Sequence, residues 1–243
     1  MNPPYKFIKD KVYARFERSD LDVRYKYFDL FVPSQLPSNW RTCLWIAPPP
    51  LGSTETECQQ LVDLIPLRDS IRNELEAQAD SVVAMYDAFQ PIVPISSDPV
   101  IRRAVNECML ELAQVVFCFK HQFSRTRPYQ VSNLSPIFAP TDNRFPYHAS
   151  YPSGHASQGG LIAEVLKFIV DPYVDPESAI LRLTIDEAAF RIGFSREVGG
   201  LHFRSDTLAG LHLAMQFFDL IRTSPLISKR LSDARERYKL LNK

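Results

Sequence analysis

The chain has 243 residues, 45% hydrophobic and 12% aromatic, and its 28 lysines and arginines balance 28 aspartates and glutamates to a formal net charge of +0. That length and composition support a buried core without metals or disulfides and exclude low-complexity disorder. The even charge offers no general attraction for nucleic acid or an anionic membrane, so any anion site has to be built locally.

The N-terminus, MNPPYKFIKDKVYARFERSD, is broken by charge every few residues and lacks the apolar core of a secretory signal. With Met1 as the natural start, the expectation is a cytoplasmic protein; a mature, processed form would be periplasmic or secreted. Cys43 to Ile46 is the one run with strand-like character, and Ala47-Pro48-Pro49-Pro50 and Pro91 to Pro94 mark loops. Thr54 or Thr56 is expected to cap a helix carrying Leu61, Leu64 and Ile65. Pro66 should end or kink it, with a further helical stretch from Leu67 towards Glu76. Asp98-Pro99 reads as an N-cap followed by proline at the first helical position. From there Ile101, Val105, Cys108, Leu112, Val115 and Phe119 recur at alternating steps of four and three, one face of a long helix. Other helices are predicted from about Ser153 to Val170, from Asp175-Pro176 with Ile180, Leu183 and Ile192 on one side, and from about Phe203 to Arg222. Leu226 to Leu241 reads as an amphipathic surface helix. The apolar stretches Leu112 to Phe119 and Leu211 to Ile221 are shorter than the roughly 20 residues of a membrane span, so none is predicted. The four cysteines (Cys43, Cys58, Cys108, Cys118) form no C-x-x-C pair, and Cys108 and Cys118 read as buried thiols. The pattern predicts an all-α, single-domain helical bundle: an N-terminal arm of unassigned structure over 1–45, then a helical domain over 46–243.

Three segments carry chemistry. In KHQFSRTRP, Lys120 and Arg127 lie about two helical turns apart and can leave one face of the helix end, whereas Arg125 points elsewhere. In SYPSGHAS, a turn at Pro152-Ser153-Gly154 feeds His155 into the start of a helix. The backbone N–H groups of Gly154 and His155 are free there to bind an anion, Ser153 adds a hydroxyl, and Gly154 permits close approach. In SREVGGLHFRSD, Arg196 ends one helix, Gly199-Gly200 breaks it, and His202 starts the next with Asp206 one turn along to orient its ring. Each segment alone has a bland reading: dipole-complementing cations, a serine cap, a surface His–Asp pair. Together they supply cations, helix N–H donors, paired histidines and an orienting carboxylate, which suits a tetrahedral or trigonal-bipyramidal oxyanion, with no set left over for a divalent metal.

The K…RP, PSGH and SR…H…D segments, all present and in order, resemble the signature of the type 2 phosphatidic acid phosphatase and vanadium haloperoxidase superfamily. From the APPPLGS stretch onward the chain is most similar to the class A bacterial acid phosphatases. The resemblance implies a metal-independent phosphatase acting on small phosphate monoesters, with no cofactor. His202 would attack phosphorus, Asp206 would orient His202, and His155 would serve as acid and then base. Lys120, Arg127, Arg196, Ser153 and the Gly154 N–H would bind the phosphoryl oxygens, with Ser195 supporting the helix turn. Two alternatives share these motifs. One is a vanadium-dependent haloperoxidase, in which His202 would ligate vanadate; the other is a diphosphatase on prenyl or nucleotide diphosphates. His148 stands before His155 as in bromoperoxidases, although a surface loop histidine is the preferred expectation for it. The family often forms homo-oligomers, and its phosphatases are normally exported, whereas this chain shows no export signal. Leaving-group specificity is expected from Ser132 to Tyr147 and Pro33 to Leu51.

Overall fold

A computed structural model describes residues 5–14, 33–80, 83–95, 97–138, 146, 148–170 and 176–242. Its helices are α1 Trp40–Cys43, α2 Thr54–Asp63, α3 Arg68–Asp80, α4 Val83–Asp87, α5 Pro99–Phe123, α6 Pro128–Val131, α7 Gly154–Val170, α8 Pro176–Val198, α9 Arg204–Ile221 and α10 Pro225–Leu241. The fold is all-α: the described residues form no strand, only isolated β-bridge positions such as the pairing of Phe7 with Ser132. Cys43 closes α1 and residues 44–50 carry no regular structure, so the strand-like run forms no strand. No helix among the described residues is long and apolar enough to cross a membrane.

Helix α7 lies at the centre because it is apolar nearly all round, and a helix with no polar face has to be covered on every side. It packs against α5, α8, α9 and α10. Helix α5 begins as expected, with the Asp98 carboxylate accepting from the N–H groups of Val100 (2.9 Å) and Ile101 (3.1 Å). Its predicted stripe from Ile101 to Phe119 is buried in the main core. Helix α10 covers this core through Ile227, Leu231 and Ala234. Leu36, Trp40 and Leu44, from within the N-terminal arm, belong to the same core. Cys108 is buried, Cys118 is half-buried, and all the cysteines are free thiols.

Four expectations change. Helix α2 starts at Thr54, with Ser53 at the cap position, and the Thr54 hydroxyl instead donates to the Leu51 carbonyl (2.8 Å). Leu61 is buried but Ile65 is exposed, because Pro66 sits in a 3-10 turn (Ile65–Leu67) that rotates the chain away. In α8 the buried line is Ile185, Ala189 and Ile192, while Ile180 and Leu183 are 66% and 69% exposed. Ile192 is thus buried as predicted, but Ile185 and Ala189 rather than Ile180 and Leu183 complete its line, whose next position is Arg196. Finally, α5 ends at Ser124, which adopts the left-handed conformation (φ 46°), so Pro128 does not stop the helix but opens α6. The predicted cap Asp175 lies outside the described residues.

Candidate active site

The site forms where the N-termini of α7 and α9 meet the C-termini of α5 and α8. Close packing of α7 on α9 sets the spacing. A Cβ at Gly210 would lie 2.6 Å from the Ser153 carbonyl oxygen, and the Ser153 N–H donates to the Asp206 carbonyl (2.9 Å). Only glycine permits that approach. The loop from α8 to α9 turns through Gly200 at φ +69°. It then anchors Leu201 and Phe203 in two small apolar clusters, so His202 between them is held from both sides.

The residues named from the motifs come near one another here, and most are buried. Lys120, Arg127, Arg196 and Asp206 are 1%, 0%, 1% and 0% exposed. Lys120 and Arg127 do not share a helix face, because α5 ends between them; they converge because the chain turns back. Lys120 Nζ donates to the carbonyls of Ala149 (2.7 Å) and Ser150 (3.1 Å), beside Gly154. Arg127 spans the site, donating to the carbonyls of His148 (2.7 Å) and Leu201 (2.6 Å), with Nη1 3.4 Å from His202 Nε2. Arg196 donates from Nη1 to the Leu75 carbonyl (3.3 Å), while its Nε and Nη2 are buried without a partner. Among the described residues neither Lys120 nor Arg196 has a carboxylate within 4.0 Å. A buried guanidinium with two open donors and no carboxylate in reach, as at Arg196, is chemically suited to an anion, since burial without compensation is costly. Ser153 caps α7 loosely through its hydroxyl (3.4 Å to the Ala156 N–H), and the first-turn N–H groups of Gly154 and His155 have no carbonyl one turn back.

His202 is oriented by Asp206: Nδ1 lies 3.2 Å from Oδ2, which also accepts from the Phe203 N–H (2.9 Å) and the Ser150 hydroxyl (2.5 Å). Nδ1 therefore carries the proton and Nε2 faces the cations. Burial first, then Arg127, pushes His202 down to about 3, although Asp206 works in the opposite direction. Burial raises the Asp206 carboxyl, but Arg125 and His202 outweigh it and hold it well below the usual range. His155 stands within hydrogen-bonding distance of the Gln78 carbonyl (Nε2, 3.3 Å). Burial, then the charges of Arg196 and His202, keep His155 far below its ordinary value. Burial likewise lowers Lys120, helped by Arg127, and brings Arg196 down to about 9.

Several participants were not legible as such. His148 is not a loop histidine out in solvent: Arg127 Nη2 donates to its Nδ1 (3.0 Å), and its ring meets Phe117 edge to face. Gln78 on α3 braces both His155 and, through its side chain, Ser195 (3.2 Å). Arg125 turns away from the anion site, as expected, but onto the far side of Asp206 (2.6 Å) and onto Glu57 (2.8 Å). Nothing in the sequence linked Arg125, Glu57 or Gln78 to the motifs. The loop stretch 139–145 and Tyr147, expected to set specificity, lie outside the described residues.

Comparison with known proteins matches residues 105–225 to the PAP2 superfamily. The chain is 32% identical over 117 residues to the non-specific acid phosphatase of Salmonella typhimurium (strain LT2), covering 48% of this chain and 44% of that protein. It is 27% identical over 124 residues to the non-specific acid phosphatase of Providencia stuartii (51% and 47% covered). To the vanadium-dependent bromoperoxidase of Ascophyllum nodosum it is 36% identical over 89 residues (28% and 16% covered). The chain thus spans less than half the length of each of these relatives. Residues 105–225, which hold Lys120, Arg127, Ser153, Gly154, His155, Arg196, His202 and Asp206, form a PAP2 superfamily domain.

Proposed function

We propose that the chain is a metal-independent phosphomonoesterase that works through a phosphohistidine. The observation that carries this reading is the juxtaposition of a carboxylate-held imidazole, His202, with the buried cations Lys120 and Arg127 and with Arg196, whose Nε and Nη2 have no partner. Because His202 stays neutral to about pH 3, its Nε2 lone pair is available even in acid. It attacks phosphorus in line; the N–P bond forms as the bond from phosphorus to the leaving oxygen breaks. Lys120, Arg127, Arg196, Ser153 and the Gly154 N–H take up the charge on the other phosphoryl oxygens. His155 gives the leaving alkoxide its proton. In the second step His155 removes a proton from water, the water oxygen bonds phosphorus, and the N–P bond breaks. With no ligand, burial first and then the charge of Arg196 hold His155 well below its ordinary value and so neutral. A phosphoryl dianion between His155 and the cations reverses that sign, so substrate binding itself charges the acid.

A second reading is kept because His148 lies against Arg127. The orphaned Arg196 donors and the Lys120–Arg127 pair also fit a vanadate held by His202, with Ser153 and Gly154 on its oxygens. Bound there, vanadate would supply peroxide activation for halide oxidation. The phosphatase reading is preferred, since the acid phosphatase matches cover about half of the chain and the bromoperoxidase match 28%. A diphosphatase uses the same phosphoryl site and differs only in its leaving group.

Phosphate release from p-nitrophenyl phosphate with EDTA present, from acid to neutral pH, is the test, with a panel of monoesters and diphosphates alongside. Turnover inhibited by vanadate and abolished in a folded His202→Ala variant is expected. No release from any phosphoester defeats the proposal, and bromination of monochlorodimedone with vanadate and peroxide would move the assignment to the second reading.

A further inference from the structure

Behind Asp206 lies a buried network that the mechanism above leaves unused. Arg125 donates from Nη1 to Asp206 Oδ1 (2.6 Å) and the Ser205 hydroxyl (2.7 Å), and from Nη2 to Glu57 Oε2 (2.8 Å). Its guanidinium lies over the Phe203 ring, 4.1 Å from the centroid. Glu57 in turn accepts from the Ser205 N–H (2.8 Å) and hydroxyl (3.0 Å), in the first turn of α9. The side chains of Arg125, Glu57 and Asp206 are 1%, 8% and 0% exposed. Two helices and a loop therefore meet on one carboxylate: α2 through Glu57, the segment after α5 through Arg125, and α9 through Asp206 itself.

We propose that Arg125 and Glu57 are positioning residues for the reaction at His202: Arg125 locks Oδ1 of Asp206 so that Oδ2 stays on the imidazole, and Glu57 holds Arg125 there. A free carboxylate rotates about its terminal bond and accepts from whichever donor is nearest. With Oδ1 tied to a guanidinium, Oδ2 is left to His202, Ser150 and the Phe203 N–H. Glu57 has a second effect. Arg125 with Asp206 alone would sum to zero charge, whereas adding Glu57 leaves the trio with one net negative charge. That charge faces the imidazole where positive charge develops during attack. As a source of stability the arrangement is weak, because buried ion pairs seldom outweigh their desolvation; as a device for fixing one rotamer it is strong. Glu57 lies outside the 105–225 segment that matches the superfamily, so an N-terminal helix completes the machinery of that domain.

This inference rests on His202 being the nucleophile. Its test compares the full chain with Glu57→Gln, with the charge-neutral pair Glu57→Gln/Arg125→Met, and with Asp206→Asn alone and combined with that pair. With p-nitrophenyl phosphate the pair is expected to lower kcat about 10- to 100-fold. KM should stay within about threefold, since the groups on the phosphoryl oxygens are untouched. Asp206→Asn is expected to lower kcat about 10⁴-fold, and the pair should add less than about threefold in that background. A folded pair variant with wild-type kcat, or an equal loss in both backgrounds, overturns the proposal. If the pair variant does not fold, Glu57→Gln alone decides: a threefold or larger loss of kcat at constant KM supports it, and unchanged kcat overturns it. If the wild-type chain turns over no phosphoester, the functional reading fails separately, and 15N shifts of the His202 ring at one fixed pH then serve. The proton should sit on Nδ1 in the wild type and be shared between the nitrogens in the pair variant; Nδ1 in both overturns the inference.

Discussion

At the scale of single residues the site carries strain of an electrostatic kind. Arg196 is 1% exposed, with two donor nitrogens unpartnered and no carboxylate within 4.0 Å among the described residues. Replacing it by Met removes an uncompensated buried charge, so the ligand-free protein should gain about 1–3 kcal/mol in a denaturant melt. The same variant should lose most of the rise in Tm that orthophosphate gives the wild type, because that rise measures binding to the folded state. The histidines make a pH prediction with a definite sign. His148, His155 and His202 are all depressed when folded, His202 from 6.5 to about 3, with burial the leading cause. As pH falls below the unfolded value the unfolded chain binds protons that the folded chain refuses, so stability falls with pH. All three histidines act in the same direction. Asp206, depressed below 3.8, adds stability that persists above that value and is lost only in stronger acid. Urea midpoints taken between about pH 7 and pH 4 should therefore fall steadily, and bound phosphate should flatten the slope. The motif residues were legible because helix-terminal spacing and side-chain chemistry name them directly. Arg125 was not, since Ser124 adopts the left-handed conformation (φ 46°) and the helical wheel no longer says where the next side chain leaves.

At the scale of elements, the distance between the two imidazoles is set by how closely α7 and α9 approach. Gly210→Ala would place a Cβ 2.6 Å from the Ser153 carbonyl oxygen and 3.0 Å from the Ala156 Cβ. Backbone cannot yield there as a flexible side chain can, so a loss of about 1–3 kcal/mol is expected. Catalysis should fall more than stability suggests, about tenfold or more, because Ser153 and His155 move away from His202. Thermal melting beside kcat for this one variant checks both. Helix α5 was legible from its unbroken stripe and Asp98 cap. Helix α8 was legible as a helix but only partly in its buried face: Ile180 and Leu183 look like core yet are exposed, whereas Ile192 is buried as expected, together with Ile185 and Ala189.

On the scale of the whole molecule, the described part of the N-terminal arm belongs to the core: Leu36, Trp40 and Leu44 are buried in the main cluster and Val12 in another. A chain starting at Ile46 should lose about 5 kcal/mol or more, which a calorimetric Tm would register. The sequence by itself determined the helical class, the long α5, and which residues are proposed to bind the anion and to supply the imidazoles, because periodicity and the chemistry of short motifs are local properties. Only the tertiary structure decided that Glu57 and Gln78 reach the site, that His148 lies on Arg127, and which face of α8 is buried. Those contacts join positions far apart in the chain, and no local pattern of spacing encodes which distant surfaces close against each other.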